Sequence, residues 1–281
     1  MKVIENYIHG KNPIEKEALR LKIQAKNLKP HIWKNVDLNF FNLDASKPFL
    51  ELGCGVAAQT KDLLEKLPYN ISIYGVDVDP VQIKFAKKEL KNKRCSFHVM
   101  DGRYLNYPNN FFCGAYVSWV LEHMTYNDSI RCLKELRRTI ANGGTIMINT
   151  SYLEPKKSLI IKNKLSRFPT SCEKFLQLLL EWQRKKRKNS NLAARKNIFD
   201  ILLKSGFKKE DISYNLKEME FKTKEEISSW AEVIMKLFQS TAFQMNELDP
   251  NILHEIKQEL DNSIYHSWHF GQVIAKIKKN K

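Results

Sequence analysis

The sequence has no long uninterrupted hydrophobic run and no closely paired cysteines. No apolar stretch approaches the roughly 18 consecutive residues that a membrane-spanning helix requires. The first twenty residues are charged throughout and lack the apolar core of a secretory signal, so we expect a cytoplasmic protein without membrane contacts. Five cysteines form no CxxC pair and no His/Cys cluster with zinc-ligand spacing. The sequence therefore predicts free thiols in a reduced compartment and no metal site.

Arginine is scarce relative to lysine, with 10 Arg against 37 Lys and a net charge of +16. Asn and Ile are abundant as well, and this composition is typical of an A/T-rich genome. The densest basic run, Arg184 to Lys188, favours a solvated helix end, with a phosphate- or RNA-contacting patch as the alternative. The composition thus argues against a nucleic-acid partner and leaves the oligomeric state open.

Short apolar segments alternate with helical segments between residues 46 and 150. This alternation is typical of βαβ units, so we expect an α/β fold with a doubly wound, Rossmann-like sheet of seven mostly parallel strands. Asp128 is expected to cap a helix that runs to Ile140, and Asn142-Gly143-Gly144 to end it. The predicted strands are residues 48–52, 71–76, 95–100, 114–119, 145–149, 211–216 and 271–277.

Helical segments flank this core. No strand is predicted in residues 152–190, and aromatic residues in the later helices predict a lid over a pocket, with an added hydrophobic core as the alternative. Tyr265 to His269 either line the same pocket or pack in the core. The aromatic residues concerned are Phe175, Trp182, Trp230, Phe238 and Phe243. The predicted organisation is an N-terminal helical cap (1–45), a cofactor-binding core (46–150), a helical insertion (151–197), a core helix and strand (198–220), a helical lid (221–267) and a last core strand (268–281).

A glycine-rich turn follows the first predicted strand. Gly53 and Gly55 permit a sharp turn and a close approach of a ligand to the backbone, at the strand end where open α/β sheets bind ligands. With Ala58, the spacing also fits the dinucleotide fingerprint, which leaves NAD and S-adenosylmethionine as alternatives. Glu51, two residues before the first glycine, provides a carboxylate that can orient an ammonium group.

Two further acidic residues follow the next strands. Asp77 ends the second strand, where its carboxylate can accept hydrogen bonds from both ribose hydroxyls. Asp101, followed by Gly102, ends the third strand, where it can accept from an adenine amino group. Together with Glu51, these positions favour S-adenosylmethionine over NAD.

Over about residues 46–150 the chain resembles the class I S-adenosylmethionine-dependent methyltransferases. Glu51 to Gly55 matches the first motif of that family, Gly75 to Asp77 its second and Asp101-Gly102 its third. Val120 to His123 resembles the LEH segment of the ubiquinone/menaquinone-biosynthesis and natural-product methyltransferases. The third glycine of the family's first motif is replaced by Ala57.

The resemblance implies S-adenosylmethionine as cofactor and gives each matched residue a role. Alternatives stay open: Asp77 as a strand-end cap, Asp101-Gly102 as a turn, and Val78 and Trp119 as core residues. The segment around Tyr7 looks like the N-terminal cap of some family members. The implied cofactor-binding residues are Tyr7, Glu51, Gly53, Gly55, Gln59, Asp77, Val78, Asp101, Gly102 and Trp119.

Methyl transfer from a sulfonium is an in-line displacement that depends chiefly on alignment of the reactants. If the acceptor must lose a proton, His123 is the candidate base and Glu122 its orienting neighbour; otherwise the two residues open the following helix. The Asn/Asp-Pro-Pro-aromatic run of amino-group base methylases is missing after the fourth strand. We therefore expect a small-molecule acceptor, with an RNA or protein methyltransferase and a non-catalytic or NAD-binding Rossmann protein as alternatives.

Overall fold

The computed structural model describes residues 14–36, 41, 43–151, 159–163, 171, 174–175, 178, 192–242 and 250–279. Four of the sequence predictions concern residues outside these ranges: Tyr7 in the cap, Trp182 and Phe243 in the lid, and the basic run Arg184 to Lys188. Within the described ranges, no helix combines the length and the hydrophobicity needed to cross a membrane.

The described residues include seven α-helices and eight strands with defined bounds. The helices are α1 (Ile14–Ile32), α2 (Thr60–Lys66), α3 (Pro80–Glu89), α4 (Tyr126–Thr139), α5 (Leu192–Lys204), α6 (Lys224–Ala242) and α7 (Pro250–Asp261). The strands are β1 (Phe49–Leu52), β2 (Ile73–Asp77), β3 (Cys95–Val99), β4 (Phe112–Ser118), β5 (Ile140–Ser151), β6 (Leu159–Asn163), β7 (Ile212–Phe221) and β8 (Ser263–Lys276).

All eight strands belong to one sheet. β3, β2, β1, β4 and β5 lie side by side in that order and are parallel. β8 is antiparallel to the three strands that it pairs with: β5 and β6 contact successive parts of it, and β7 pairs with it over Ile212–Phe221. Because the stretches of β8 that pair with β5 and β6 also pair with β7, β7 must lie on the other side of β8. The sheet is therefore seven positions wide and mostly parallel, as the alternation predicted.

The two faces of the sheet carry separate hydrophobic cores. Tyr116 and Met147 point into a core formed with α1, α6 and α7, whereas Ala115 and Val117 point into a core formed with α4 and α5. Asn27 of α1 donates to Ser229 of α6 across a 3.0 Å hydrogen bond, which joins the first and sixth helices over the same face. Helices on both faces are the arrangement that buries a parallel sheet.

Several local predictions were wrong. β6 is a strand within the stretch where no strand was predicted, and β8 begins at Ser263, inside the predicted helical lid. Thr125, not Asp128, caps α4: its backbone is extended and its hydroxyl accepts from the Asp128 amide at 3.1 Å. An extended residue with a side-chain acceptor three positions before the amide is the geometry of an N-cap.

The Asn142-Gly143-Gly144 turn does not end α4 either. The helix ends at Thr139, because Ile140 is already extended and begins β5. Gly143 keeps a left-handed φ of 85° within the strand, where its amide donates to Ile277. Gly143 and Gly144 therefore allow β5 to form backbone hydrogen bonds with Ile277 after β8.

Candidate functional site

The carboxyl ends of β1, β2, β3 and β4 meet at one edge of the sheet, as required by their parallel pairing. Ligands of open α/β sheets bind outside this edge. Every described residue that the sequence proposed for the site lies at the carboxyl end of one of these four strands or in the segment that follows it. The topology therefore brings the first, second and third motifs together.

The turn after β1 has three residues in the left-handed region within five positions. Gly53 has φ 72°, Gly55 φ 54° and Ala57 φ 61°. The amides of Gly53 and Cys54 both donate to the carbonyl of Val76, which ties the turn to β2. Ala57 thus adopts the glycine-like conformation in spite of its side chain, which costs about 1–2 kcal/mol. The replacement of the third glycine preserves the shape of the turn.

Two side chains that the sequence did not assign to cofactor binding, those of Val120 and Gln82, pack against the glycines. A Cβ atom on Gly53 would lie 2.2 Å from the Cγ2 atom of Val120, and one on Gly55 would lie 2.8 Å from the Oε1 atom of Gln82. Gln82 belongs to α3, is 1% exposed, and its Oε1 has no hydrogen-bond partner among the described residues. Gln59, half-buried, sits at the N-cap of α2 without a side-chain cap bond. No signal in the sequence marks Gln82, because one polar residue on a helix is common.

Glu51 is a buried carboxyl group at the end of β1. It is 3% exposed and accepts a 2.5 Å hydrogen bond from the hydroxyl of Thr60. Burial is the main cause that raises the pKa of Glu51 to about 8; the Thr60 hydrogen bond opposes this shift, and the negative charges of Asp62 and Asp77 add to it. The group is therefore mostly protonated at neutral pH until a cation approaches it.

Asp77 holds the glycine-rich turn. Its Oδ2 atom accepts from the amide of Gly55 and its Oδ1 atom from the amide of Asp79, both at 2.9 Å. Burial raises the pKa of Asp77 although these backbone hydrogen bonds lower it. Val78 follows directly and is half-buried. Because an ionised carboxylate offers about four acceptor positions, Asp77 keeps capacity for further donors.

Asp101 forms an ion pair that the sequence did not predict. Arg103 donates from Nη2 to its Oδ2 atom at 2.6 Å and from Nε to both carboxylate oxygens, and it also contacts Asp128 of α4 at 3.1 Å. Burial raises the pKa of Asp101, but the hydrogen bonds from Arg103 outweigh it and lower the pKa. Gly102 is buried, and a Cβ atom there would lie 2.9 Å from Leu52. Close packing against Leu52 therefore accounts for a glycine at position 102, independently of any ligand.

The turn after β4 faces the glycine-rich turn through Val120. Trp119 has a left-handed φ of 54° and lies against Phe270 of β8, with the ring centroids 5.7 Å apart. Leu121–His123 form a short 3-10 turn, in which His123 is half-buried. Glu122 is buried and accepts from the Thr150 hydroxyl at 3.0 Å. The orientation of His123 by Glu122 stays a prediction.

A buried polar cluster lies beneath this turn on β4, β5 and β8. Asn149 donates to the hydroxyl oxygen of Tyr116 at 2.9 Å, and Gln272 donates to Asn149 at 3.1 Å and to the carbonyl of Ile32 at 3.0 Å. Trp33 stacks on Tyr116 with centroids 5.9 Å apart. Sequence reasoning missed this cluster; its signal is two amides inside otherwise apolar strands.

Within the described ranges, no group of three or more His, Cys, Asp or Glu side chains is arranged to hold a metal. The residues present fit S-adenosylmethionine instead: a buried carboxyl group for an ammonium, a strand-end carboxylate for hydroxyls, and a turn of left-handed residues for close backbone contact. The unpartnered, buried Oε1 atom of Gln82 beside Gly55 is consistent with a polar ligand at this turn.

Comparison of the sequence with known families matches residues 50–148 to the methyltransferase domain. A ubiquinone/menaquinone biosynthesis C-methyltransferase from Neisseria gonorrhoeae is 23% identical over 119 residues, 42% of this chain and 48% of the relative. The corresponding enzyme of Citrifermentans bemidjiense is 22% identical over 120 residues, 41% of this chain and 50% of the relative. The chain therefore spans about half the length of the curated relatives that it matches.

Among solved structures, phosphoethanolamine N-methyltransferase 2 from Haemonchus contortus in complex with S-adenosyl-L-methionine shares the fold. The TM-score is 0.51 at 15% identity, over 98% of this chain and 62% of the other. A second structure of that enzyme, with S-adenosylhomocysteine, has a TM-score of 0.51 at 16% identity over 90% of this chain and 53% of the other. These likenesses concern the fold.

Proposed function

We propose that this chain, whose residues 50–148 match the methyltransferase domain, is a class I S-adenosylmethionine-dependent methyltransferase that transfers a methyl group to a small-molecule acceptor. The observation that carries the proposal is the edge of the sheet where Glu51, Asp77 and Asp101 lie at the carboxyl ends of three adjacent strands beside the glycine-rich turn. Acidic groups suit the ammonium, ribose and adenine amino groups of this cofactor.

S-adenosylmethionine, when bound, supplies an electrophilic methyl group on a sulfonium. The protein's part is to align this methyl with an acceptor, and alignment alone can supply about 7–11 kcal/mol of the barrier. We assign Glu51 to the ammonium group, Asp77 to the ribose hydroxyls and the turn from Gly53 to Gly55 to the methionine part. Val78 and Asp101 are assigned to the adenine ring.

The acceptor side is assigned to the segment after β4. Trp119 is held between β4 and Phe270 of β8, and His123 follows one 3-10 turn later. For an acceptor hydroxyl we propose that His123 takes the proton as the methyl group arrives, since an imidazole is the side-chain base suited to neutral pH. An amine or carbon acceptor that is already nucleophilic needs no such step.

A small-molecule acceptor is favoured over RNA by the relatives that the chain resembles. The curated relatives act, by their names, in the biosynthesis of quinones. A screen of metabolite extracts for a product 14 mass units heavier (the added CH₂) identifies the acceptor. If tRNA bound at physiological salt and were methylated, the acceptor would be RNA and not a small molecule.

The cofactor assignment is tested by Asp77→Asn. Loss of charge on a group that accepts from a ribose costs about 1.5–3 kcal/mol, or about 10–150-fold in affinity for S-adenosylmethionine. Titration calorimetry measures this affinity, and NAD serves as the competing ligand. The control is Asp79→Asn, two residues away, because Asn also caps helices well and Asp79 caps α3.

For the control we expect affinity within about threefold of the wild type. If a folded Asp77→Asn variant binds as well as the control does, Asp77 is not the ribose contact. If the wild type binds NAD and does not bind S-adenosylmethionine, the proposed function itself is wrong.

A further inference from the structure

A basic cleft lies at the opposite edge of the sheet from the glycine-rich turn. It is formed where the loop before β4, the last turns of α4, the end of α5 and the end of the chain after β8 meet. These are the amino ends of the parallel strands, so the cleft is separate from the proposed active site. Its volume is about 510 Å³, and its lining residues are Asn109, Asn110, Lys134, Arg137, Arg138, Lys204, Ser205, Gly206 and Lys279.

The lining contains five cationic side chains and no carboxylate. Two of the cations are paired with acidic residues outside the lining: Arg138 with Glu135 at 2.8 Å, and Lys204 with Asp200 at 3.3 Å. The other three cations have no such acidic partner among the described residues; they are Lys134, Arg137 and Lys279. The cleft therefore carries a surplus of positive charge that its own walls do not neutralise.

Neutral partners hold several of these cations in place. Arg137 donates from Nη2 to the carbonyl of Lys278 at 3.0 Å. Lys279 donates from Nζ to Asn110 at 2.5 Å and to the carbonyl of Arg138 at 2.9 Å. Burial lowers the pKa of Lys279, and the positive charges of Arg137 and Arg138 lower it further. The fold thus crowds like charges together, an arrangement that an anion would stabilise.

We propose that this cleft binds a compact polyanion of the diphosphate class. Arg137 presents the planar donor group that matches phosphate oxygens, Lys134 adds an exposed ammonium at the rim, and the side-chain amides of Asn109 and Asn110 can donate hydrogen bonds. The volume is within the range of small-ligand sites. The cations converge on one concavity, and an extended nucleic-acid strand would instead need them spread along a track. The proposal is independent of methyl transfer.

The test compares two double variants that remove the same charge. Lys134→Gln/Arg137→Gln alters the cleft, and Lys87→Gln/Lys88→Gln alters two exposed lysines of α3. Binding of inorganic pyrophosphate and of methyl diphosphate to the full chain is measured by calorimetry at 150 mM salt. We expect wild-type binding in the micromolar to low-millimolar range, at least tenfold weaker binding by the cleft variant, and less than twofold change in the control. Equal binding of the two probes indicates a diphosphate carried on an organic group, and preference for pyrophosphate indicates the free ion.

Three results would overturn the proposal. The first is a wild type that binds neither probe at 1 mM, and the second is a control variant that loses as much affinity as the cleft variant. The third is a single-stranded oligonucleotide that binds through Lys134 and Arg137 when neither diphosphate does, because nucleic acid would then be the partner. Melting temperatures of both variants show that each is folded.

Discussion

A carboxyl group as buried as that of Glu51 is held mostly uncharged at neutral pH, with its pKa raised to about 8 by burial and by the nearby Asp62 and Asp77. The raised pKa means that the folded protein holds the proton more tightly than the unfolded chain does. This contribution to stability is therefore complete below the unfolded pKa near 4.5 and is lost as the pH rises through 8. A bound ammonium group reverses the preference, because it favours the ionised carboxylate.

Binding of S-adenosylmethionine at pH 7 should therefore release most of one proton from Glu51. Calorimetric titrations in phosphate and in Tris, two buffers with different ionisation enthalpies, measure the number of protons released. Glu51→Gln keeps the shape of the side chain and should bind more weakly and release none. A wild type whose binding heat is the same in both buffers would remove Glu51 from the ammonium site.

Gln82 is expected to lower the free energy of unfolding and to strengthen cofactor binding. Its buried Oε1 atom lies beside Gly55 without a partner among the described residues, and such an acceptor costs about 1–3 kcal/mol. Gln82→Met has nearly the same volume and no acceptor, so the free energy of unfolding should rise by about 1 kcal/mol. The affinity for S-adenosylmethionine should fall by about fivefold to tenfold if the amide serves the bound cofactor.

Urea unfolding and calorimetry on the same Gln82→Met preparation give both quantities. A more stable protein with unchanged affinity would show that the amide has no part in the site.

Gln82 also illustrates which site residues could not be predicted from the sequence. The motifs predicted Glu51, Asp77 and Asp101 at the site edge, whereas Gln82 and Arg103 reach it only through folding.

At the scale of elements, the segment after β4 decides whether the protein contributes a base. His123→Ala should slow methyl transfer to a hydroxyl acceptor by about 10²–10⁴-fold while the affinity for S-adenosylmethionine holds. Single-turnover rates at saturating cofactor from pH 6 to 9 measure the effect. Trp119 and the 3-10 turn are retained, so the geometry of the segment is the same in both proteins.

Glu122→Gln is the companion variant, since it keeps a hydrogen-bond partner for Thr150 and removes only the charge. Glu122→Gln should lower the rate of methyl transfer less than His123→Ala does. It should also make that rate depend less on pH than it does in the wild type. A His123→Ala rate within about threefold of the wild type would mean that transfer proceeds by alignment alone. A lower melting temperature with a normal rate would give the segment a structural role.

Helices and strands with a clear hydrophobic pattern were predicted from the sequence, but the residues at which they begin and end were not. The alternation of apolar and helical segments predicted the central residues of β1 to β5, because a parallel strand buried on both faces leaves an apolar run. The ends differ most in β5, which was expected over residues 145–149 and spans Ile140–Ser151. The cap of α4 was misplaced by three residues, since Thr125 and Asp128 are both good capping types. β6 was missed because its pairing depends on β8, which lies about a hundred residues later in the chain.

At the scale of the whole molecule, β8 pairs with β5, β6 and β7 and carries a buried histidine near its amino end, where it lies between β6 and β7. His266 is 0% exposed, and its Nε2 atom lies 2.6 Å from the Ser263 hydroxyl oxygen, whose hydrogen goes to the carbonyl of Leu260. On this basis we assign the ring proton to Nε2, and Nδ1 has no hydrogen-bond partner among the described residues. A second proton would place an uncompensated charge inside the sheet, so burial lowers the pKa of His266 to about 4.

This histidine should make the fold sensitive to acid. Above pH 6.5 the ring is neutral in both the folded and the unfolded chain, and it has no effect on the pH dependence. Between 6.5 and about 4 only the unfolded chain takes up the proton, so stability is lost as the pH falls. Each pH unit is worth about 1.4 kcal/mol, which gives about 2 kcal/mol between pH 6.5 and 5.

Urea unfolding of the wild type and of His266→Gln, each at pH 7.5 and pH 5, isolates this contribution. Other titrating groups, Glu51 included, change both proteins alike and cancel in the difference between them. The wild type should lose about 2 kcal/mol more than His266→Gln on acidification. His254→Gln, which replaces an exposed histidine of α7, should behave as the wild type does. Equal acid losses in the wild type and His266→Gln would mean that the ring reaches water in the folded chain and that β8 is opened at this point.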